Sequence, residues 1–366
     1  MRPERAPLAA VTITFRDAPT SVRARAAERI PDTAMDGLRQ QGVRGLVEVH
    51  TCARSLWLIS AENAAWAGAL VQSHVASRLG GEVLPVSFVG EDAFRHTLRV
   101  ALGLESPVEG EGDIGNQLAT AFASSQLAER SCAVLNLTHQ ACARVVAVGR
   151  AAGFVRPMKG LGALSVAVME REGVARNEPV AVVGAGAIGH RVLDSLRRSG
   201  YSDISLFNRT PKPDCLPLTA LGARAFAGMI VCTAGPTHGI AGSARVVVDL
   251  GVPAQVAAPT VGLDALLGGP GLRLSAEKRA LADVAVEREL ADLLARTRSI
   301  QARRAIGHAQ ELRDRFVSDR LDSLIEPALD DLSPAQRRRV LEAARGAIRL
   351  YNHEVVTWLR EEVDGG

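Results

Sequence analysis

Short apolar runs alternate with amphipathic helical stretches along most of the chain, which predicts an α/β protein. Before about residue 155, the strand-like segments AAVTITF, GLVEVHT and SLWLIS are interspersed with helix-like segments such as AAWAGALVQSHVASRL. From Glu91 the pattern becomes helical, and the segment GFVRPMKGLG is predicted to be a linker. We therefore expect an N-terminal α/β domain over residues 1–158.

A second α/β unit is predicted over residues 159–275. Its segments PVAVVGAG, ISLFNRT, MIVCTAG and RVVVDLGVP are short apolar runs bounded by Gly, Pro or Asn. Such runs are typical of buried parallel strands whose carboxyl ends carry functional residues. The pattern indicates a Rossmann-type domain.

Residues 276–366 are predicted to be helical. No proline occurs between Pro270 and Pro327, so one long helix or two consecutive helices are expected, followed by a helix from about Pro334 to Glu362. Acidic and basic side chains are nearly balanced in this region, which argues against a nucleic-acid arm. A long mixed-charge helix usually buries its apolar stripe against a partner helix, so we expect a homodimer formed by a C-terminal long-helix domain.

Composition narrows the class of protein. With 47% hydrophobic and 23% charged residues the chain is neither disordered nor fibrous, and no polyanion-binding character can be read from its net charge of +3. The five cysteines are odd in number and contain no C-x-x-C pair, which favours neither a disulfide framework nor a structural zinc site. We expect no signal peptide, no membrane segment and a cytoplasmic location.

A glycine-rich turn gives the strongest local signal. The sequence Gly184-Ala185-Gly186-Ala187-Ile188-Gly189 follows the strand PVAVV and precedes the helix HRVLDSLRRSG, as a pyrophosphate-binding turn does. The alternative is a glycine turn that only packs helix on strand. The next strand ends in Asn208-Arg209-Thr210 and not in Asp or Glu, which favours NADP over NAD, although an exposed Arg after a strand is common.

A cysteine follows the apolar strand GLVEV. If the chain stays extended there, His50, Cys52 and Arg54 share one face, where imidazole and guanidinium can stabilise a thiolate. Cys52 is therefore a candidate nucleophile. The alternative is a buried structural cysteine beside a surface arginine.

The segment from His96 to Gln117 is dense in glycine and carboxylates between helical flanks. Such a loop either approaches a ligand or makes a tight turn, and both interpretations stay open. His96 is either an acid–base group or a satisfied polar residue on a helix.

In this order, the three segments resemble glutamyl-tRNA reductase. That family carries Ser/Thr-Cys-Asn-Arg-Thr-Glu, which Thr51-Cys52-Ala53-Arg54-Ser55-Leu56 partly matches. The family's next signature matches without a gap at His96, Val100, Ala101, Gly103, Leu104, Glu105, Ser106, Gly110, Glu111, Ile114 and Gln117. The dinucleotide motif and the closing segment LYNHEVVTWLRE are also similar to the family, so the resemblance covers nearly the whole chain.

The resemblance implies an activity. In that family the cysteine attacks the aminoacyl ester of charged tRNA, and NADPH reduces the resulting thioester to glutamate-1-semialdehyde for tetrapyrrole (porphyrin) biosynthesis. It implies catalytic roles for Cys52 and His96, with His96 as proton donor. It implies substrate binding by Thr51, Arg54, Ser106, Glu111 and Gln117. It implies NADPH binding by Gly184, Gly186, Ala187, Gly189, Asn208, Arg209 and Thr210. Charged tRNA, a second copy of the chain and a downstream aminotransferase are the expected partners.

Departures from the family pattern keep alternatives open. The family's Asn, Glu and Gln are replaced by Ala53, Leu56 and Asp113, and its His-Lys-Thr-Ala segment appears as residues 15–18, FRDA. We expect Leu56 to change which amino acid is preferred. The alternatives are a reductase of a different aminoacyl-tRNA in a specialised pathway, or a non-catalytic relative that binds tRNA or tetrapyrrole. An NADP-dependent dehydrogenase of small molecules explains only residues 177–270.

Overall fold

The computed structural model describes residues 7–27, 32–40, 42–125, 132–155, 160–233, 240 and 244–364. The chain divides into two compact units, Met1–Leu290 and Ala291–Gly366. The predicted α/β class is confirmed. The predicted linker and the predicted boundary after residue 158 fall partly on residues 156–159, which lie outside the described residues.

The first unit contains two sheets and most of the helices. The strands are β1 (Leu8–Thr14), β2 (Val43–His50), β3 (Arg54–Ala61), β4 (Val86–Val89), β5 (Val180–Val183), β6 (Ile204–Asn208), β7 (Leu216–Pro217), β8 (Phe226–Val231), β9 (Ala244–Asp249) and β10 (Val261–Gly262). The helices up to the second sheet are α1 (Thr20–Ala26), α2 (Asp32–Gln40), α3 (Ala64–Arg78), α4 (Glu91–Ala101), α5 (Asp113–Ser124), α6 (Ala133–Ala151) and α7 (Gly160–Arg171). The later helices are α8 (Ala187–Arg198), α9 (Leu263–Gly268), α10 (Ala276–Asp319), α11 (Leu321–Ile325) and α12 (Pro334–Asp364).

The N-terminal sheet is antiparallel throughout, in the order β2-β3-β1-β4. Every residue of β3 is buried, because helices cover both faces of the sheet. Trp57 and Ile59 face α1 to α3, whereas Gly45 of β2 faces α6 so closely that a Cβ would contact Leu135. Period-two alternation therefore sends Arg54, which is even-numbered like Leu56, to the face opposite Trp57.

The chain reverses between β2 and β3, so the expectation of an extended segment from His50 to Arg54 is wrong. The two strands form an antiparallel hairpin in which His50 pairs with Ser55. The His50 ring packs edge-on against Trp57, with ring centroids 5.4 Å apart. His50 thus lies on the face of the sheet opposite Arg54 and does not join it beside the thiol.

The second sheet is parallel throughout, in the order β10-β9-β8-β5-β6-β7. Its central strand β5 is fully buried, as the uninterrupted apolar run predicts. The strand order reverses direction at β5, between its neighbours β8 and β6. Dinucleotides bind at such switch points, so the Rossmann-type prediction is confirmed as a fold.

A buried carboxylate ties the two halves of the first unit together. Glu109 is only 1% exposed, pairs with Arg273 at 3.2 Å and with Arg279, and accepts the Leu274 N–H at 3.0 Å. Val108 forms a parallel bridge with Leu272. The loop that precedes α5 is thereby fixed against the segment that leads into α10.

The long C-terminal helices agree with the sequence prediction. The helix α10 has 44 residues and α12 begins at Pro334. Dimerisation through these helices stays a prediction. Within the part of the chain that the structure describes, no helix combines the length and the apolarity that a membrane span requires.

Candidate functional site

Cys52 lies at the tip of the β2–β3 hairpin. The Thr51 hydroxyl oxygen accepts hydrogen bonds from the main-chain N–H groups of Ala53 at 3.2 Å and Arg54 at 3.1 Å, which closes the turn. The N–H of Phe15, just after β1, donates to the Ala53 carbonyl oxygen at 2.8 Å. Cys52 itself is exposed. A side-chain turn and a neighbouring loop therefore present the thiol to solvent on a fixed backbone.

The thiol faces a pocket of about 190 Å³, which we call the thiol pocket. Its lining residues are Thr51, Cys52, Ala53, Glu111, Asp113, Gln117, Gly160, Leu161, Gly162, Ile188 and Arg191. Four residues predicted for the catalytic and substrate site therefore come together. Ile188 and Arg191 belong to α8, the helix that follows the glycine-rich turn, so the dinucleotide half also contributes to this pocket.

The surroundings of Cys52 favour the neutral thiol. Although solvent reaches the residue, protein encloses the sulfur closely enough for burial to raise its pKa to about 11. The negative charge of Glu111 contributes to this rise, whereas the positive charges of Arg23 and Arg54 oppose it. At neutral pH the resting cysteine is protonated, so thiolate chemistry here requires a group that accepts the proton.

Arg54 is buried and only partly hydrogen-bonded. Its Nη2 donates to the Glu105 carbonyl oxygen at 2.7 Å and to the Ser106 hydroxyl at 2.8 Å. Its Nε and Nη1 are buried and have no hydrogen-bond partner among the described residues. Unsatisfied guanidinium N–H groups inside a protein are costly, and an anion is the partner that best satisfies them.

His96 lies in a second pocket, of about 370 Å³, which we call the His96 pocket. Its lining residues are Thr12, Thr14, Arg16, Asp17, Val86, Phe88, Asp92, Arg95, His96, Arg99 and Glu105. None of these described residues also lines the thiol pocket. The structure therefore does not bring His96 and Cys52 together in one pocket, although Arg54 acts electrostatically on both.

The His96 ring is held as a neutral imidazole. It stacks on Phe88 with ring centroids 4.4 Å apart, and its Nε2 is buried without a hydrogen-bond partner among the described residues. The pKa of His96 is lowered to about 4, chiefly by burial and also by the charges of Arg54 and Arg99, with Glu105 opposing them. A neutral imidazole can accept a proton but has no readily donated one at neutral pH.

The glycine-rich turn fits a dinucleotide. Gly184 has φ +109°, a conformation that favours glycine, and a Cβ at Gly189 would collide with the Gly184 carbonyl oxygen. A Cβ at Gly186 would instead enter open space, beside the start of α8 at Ala187. Tight packing on one side of the turn and room on the other are what a pyrophosphate at a helix N-terminus requires.

The last residue of β6 and the residues just after it support this turn. The Asn208 side-chain oxygen accepts the Ala185 N–H at 3.0 Å, and its amide nitrogen donates to the Thr210 carbonyl oxygen at 2.7 Å. Arg209 is exposed at the same edge. Lys212, which sequence reasoning missed, donates from Nζ to the Ala185 carbonyl oxygen at 2.8 Å. Two cations therefore lie just after β6, on the side of the glycine-rich turn.

Arg23 is the other functional residue that sequence reasoning missed. It is 2% exposed, and its Nη2 donates to the Cys52 carbonyl oxygen at 2.6 Å and to the Thr20 hydroxyl at 2.7 Å. The main-chain N–H of Thr20 donates to Asp264 of α9 at 2.7 Å. No local pattern marks Arg23, because its partners lie far away in sequence.

The positions that depart from the family pattern have different surroundings. Leu56 is fully buried in β3 and lines neither pocket, so no direct contact with substrate supports the expected effect on amino-acid preference. Ala53 and Asp113 both line the thiol pocket. Asp113 forms an ion pair with Arg191 at 3.4 Å. Any change in preference is therefore better attributed to Ala53 and Asp113.

Comparison with known proteins agrees with this architecture. Residues 11–152 match the family model described as glutamyl-tRNA(Glu) reductase, N-terminal domain. Glutamyl-tRNA reductase 1 of Pyrobaculum calidifontis is 35% identical over 44% of this chain and 42% of its own length. Glutamyl-tRNA reductase of Pyrobaculum aerophilum is 26% identical over 99% of this chain and 93% of its own length.

The fold matches as well. The solved structure of glutamyl-tRNA reductase from Methanopyrus kandleri superposes with a TM-score of 0.52 and 19% identity, covering 98% of this chain and 99% of that one. The three ordered motifs, the family model over residues 11–152 and relatives that align along nearly the whole chain agree with one another. The chain is similar to glutamyl-tRNA reductases along nearly its whole length.

Proposed function

We propose that the protein reduces the glutamyl group of charged tRNA to glutamate-1-semialdehyde through a thioester on Cys52, with NADPH as reductant. The observation that carries the proposal is the composition of the thiol pocket. Cys52, Glu111 and Gln117 line the pocket together with Ile188 and Arg191 of α8, the helix that follows the glycine-rich turn. An acyl group on the sulfur would therefore lie in a pocket shared with the cofactor-binding half.

The charges around the pocket suit a glutamyl ester. That group carries one free carboxylate and one ammonium beside the ester carbonyl. Nε and Nη1 of Arg54, which have no partner among the described residues, would each donate a hydrogen bond to the carboxylate, while Nη2 is held by Ser106. Glu111 and Asp113 provide negative charge for the ammonium.

The cofactor site is proposed from the glycine-rich turn and the cations beside it. Gly184, Gly186, Ala187 and Gly189 would hold the pyrophosphate at the N-terminus of α8. Asn208 and Thr210 hold the turn in shape, and Arg209 with Lys212 would contact the 2′-phosphate. When bound, NADPH supplies the hydride that the aldehyde product requires.

The part played by His96 stays a prediction. Its location in the other pocket and its low pKa fit the shaping of Arg54's surroundings better than proton transfer at the ester that Cys52 would attack. Binding of tRNA, pairing of two copies and contact with an aminotransferase also stay predictions. Phosphate contacts would make tRNA affinity fall with increasing salt.

NADPH-dependent aldehyde formation, measured on a panel of charged tRNAs, tests the proposal. We expect activity with glutamyl-tRNA and none in Cys52→Ser. Activity with another aminoacyl-tRNA alone would establish the specialised reductase, the alternative that the departures at Ala53 and Asp113 keep open. If no charged tRNA gives aldehyde, or if Cys52→Ser keeps full activity in cells, the non-catalytic alternative remains.

A further inference from the structure

Glu111 is held rigidly in the thiol pocket. It lies just before α5, and its main-chain N–H donates to the Val108 carbonyl oxygen at 3.2 Å. Gly103, with φ +72°, packs so closely that a Cβ would lie 2.7 Å from the nitrogen of Glu111. The carboxylate is hydrogen-bonded by the Ser106 side chain. The backbone and Ser106 therefore fix the carboxylate in the pocket that contains the thiol.

Cys52 and Glu111 are electrostatically coupled. Among the charged groups around Cys52, Glu111 has the largest effect on its pKa, and it raises that pKa. Burial raises the pKa of the Glu111 carboxyl itself, the Ser106 hydrogen bond and Arg54 lower it, Asp113 raises it, and Arg191 lowers it. The carboxyl thus binds a proton more tightly than it would in water, and it lines the same pocket as the thiol whose proton it would accept.

His96 is poorly placed for this task. It lines the other pocket, and its pKa of about 4 makes it a weak base. The neutral thiol nevertheless needs a proton acceptor before it can attack, as its raised pKa shows. Glu111 is the carboxylate in the thiol pocket that bonds the Ser106 hydroxyl beside Arg54, whereas Asp113 is engaged with Arg191.

We propose that Glu111 is the general base that accepts the Cys52 thiol proton, and the general acid that returns it to the ribose oxygen of the departing tRNA. The inference rests on the proposed function. The S–H proton moves to the carboxylate as sulfur bonds to the acyl carbon. The bond between that carbon and the ribose oxygen then breaks, and the oxygen takes the proton from Glu111. Free tRNA, a thioester and an ionised carboxylate result, without an added acid or base.

Two rates, compared in Glu111→Gln, test the proposal. Removal of the negative charge stabilises the thiolate, so alkylation of Cys52 by iodoacetamide at pH 8 should become several-fold faster. Thioester formation from glutamyl-tRNA without NADPH should become about 100-fold slower, because the base is lost. Glu82→Gln is the control, since Glu82 is an exposed partner of Arg25, and it should leave both rates unchanged.

If Glu111 has only a structural role, Glu111→Gln should change the rate of Cys52 alkylation and the rate of thioester formation in the same direction. If Glu111→Gln slows alkylation and thioester formation alike, or leaves thioester formation unchanged, the proposal is overturned. If the wild-type protein forms no thioester at all, the proposed function fails instead, and the two failures are thereby distinguished.

The wild-type pH profile needs no variant and covers the case in which Glu111→Gln does not fold. If Cys52 loses its proton to solvent before it attacks, the rate of single-turnover thioester formation should rise about tenfold per pH unit between pH 7 and 9. The rate of Cys52 alkylation should rise in the same way. If Glu111 accepts the thiol proton, the rate of thioester formation should be nearly independent of pH over that range. Hydrolysis of the ester, measured with Cys52→Ser, is subtracted. A profile parallel to alkylation would overturn the proposal.

Discussion

The guanidinium of Arg23 donates a hydrogen bond to the main-chain carbonyl oxygen of Cys52 at 2.6 Å, across 29 residues of sequence. Arg23 is buried in α1, lies 3.8 Å from Asp264 and also bonds the Ala18 carbonyl oxygen. Its charge lowers the pKa of the Cys52 thiol against the effects of burial and Glu111. Arg23 is therefore a positioning residue that holds the hairpin tip and moderates the acidity of its thiol.

Replacing Arg23 should make the thiol less reactive. In Arg23→Met the pKa of Cys52 rises further, so alkylation at pH 8 is expected to slow by about 3- to 10-fold. Arg23→Lys keeps the charge and should retain more of the rate. The pH profile of alkylation gives the comparison directly, because a loss of positioning alone would not move its midpoint.

Arg25→Met is the matched control for Arg23. Arg25 lies on the same helix but is exposed and paired with Glu82 at 2.7 Å. Its removal should leave both alkylation and thermal stability unchanged. If Arg25→Met and Arg23→Met have the same effect, or if neither shifts the alkylation midpoint, the role assigned to Arg23 is wrong.

Arg209 should decide between the two nicotinamide cofactors. In Arg209→Gln the affinity for NADPH is expected to fall on the order of 10-fold, since a charge-assisted contact with the 2′-phosphate is lost. The affinity for NADH should not change. Calorimetric titration without tRNA measures both. Arg197→Gln, which removes an exposed arginine from the last turn of α8, should affect neither cofactor. Equal weakening of both by Arg209→Gln would contradict the assignment.

Local sequence patterns predicted the fold and much of the site because their causes are local. The uninterrupted apolar run of β5 and the glycines beside α8 are sufficient to predict a parallel strand, a tight turn and a helix start. The hairpin at Cys52 was missed, although Thr51 can close a turn through its own side chain. The residues on both sides of the cysteine favour strands, so the sequence pattern predicts one extended segment and not two strands joined by a turn.

Long-range partners explain the rest of the difference. Glu109 pairs with arginines 164 and 170 residues away, and nothing in its own segment indicates them. The separation of His96 from Cys52 likewise follows from how α4 packs on the sheet, which spacing along the chain does not determine. Similarly, only the packed structure shows that Leu56 is enclosed while Asp113 lines the thiol pocket.

The ion-paired carboxylate of Glu109 should be important for stability. Glu109→Gln leaves Arg273 and Arg279 without their shared anion beside a buried site, which is expected to lower the free energy of unfolding by about 3 kcal/mol. Urea denaturation followed by circular dichroism measures the change. Glu62→Gln removes an exposed partner of Arg44 and should change it by less than about 0.5 kcal/mol. Equal effects of the two variants would contradict the account.

Acid should destabilise the protein through His96 before most carboxylates titrate. Its pKa is about 4 in the folded protein and near 6.5 otherwise, so the unfolded chain takes up the proton first as pH falls. The stability that this group contributes is complete above about pH 6.5 and is lost towards pH 4, by on the order of 2–3 kcal/mol. Burial shifts the pKa of His50 in the same direction.

Urea denaturation at pH 7.5 and 5.0 checks this expectation. His96→Gln should lose less stability between the two pH values than the wild-type protein does. His353→Gln, which replaces an exposed histidine of α12, should retain the wild-type dependence. An unchanged dependence in His96→Gln would show that His96 is not held neutral by its surroundings.

Detection of the acyl-enzyme tests the central claim most directly. The protein is mixed with tRNA charged with radiolabelled glutamate in the absence of NADPH, quenched in acid, digested and analysed by mass spectrometry. We predict label on the peptide that contains Cys52, its absence in Cys52→Ser, and its release as aldehyde when NADPH is added before the quench. Label on another cysteine, or free glutamate with no labelled peptide from the wild-type protein, would contradict the account.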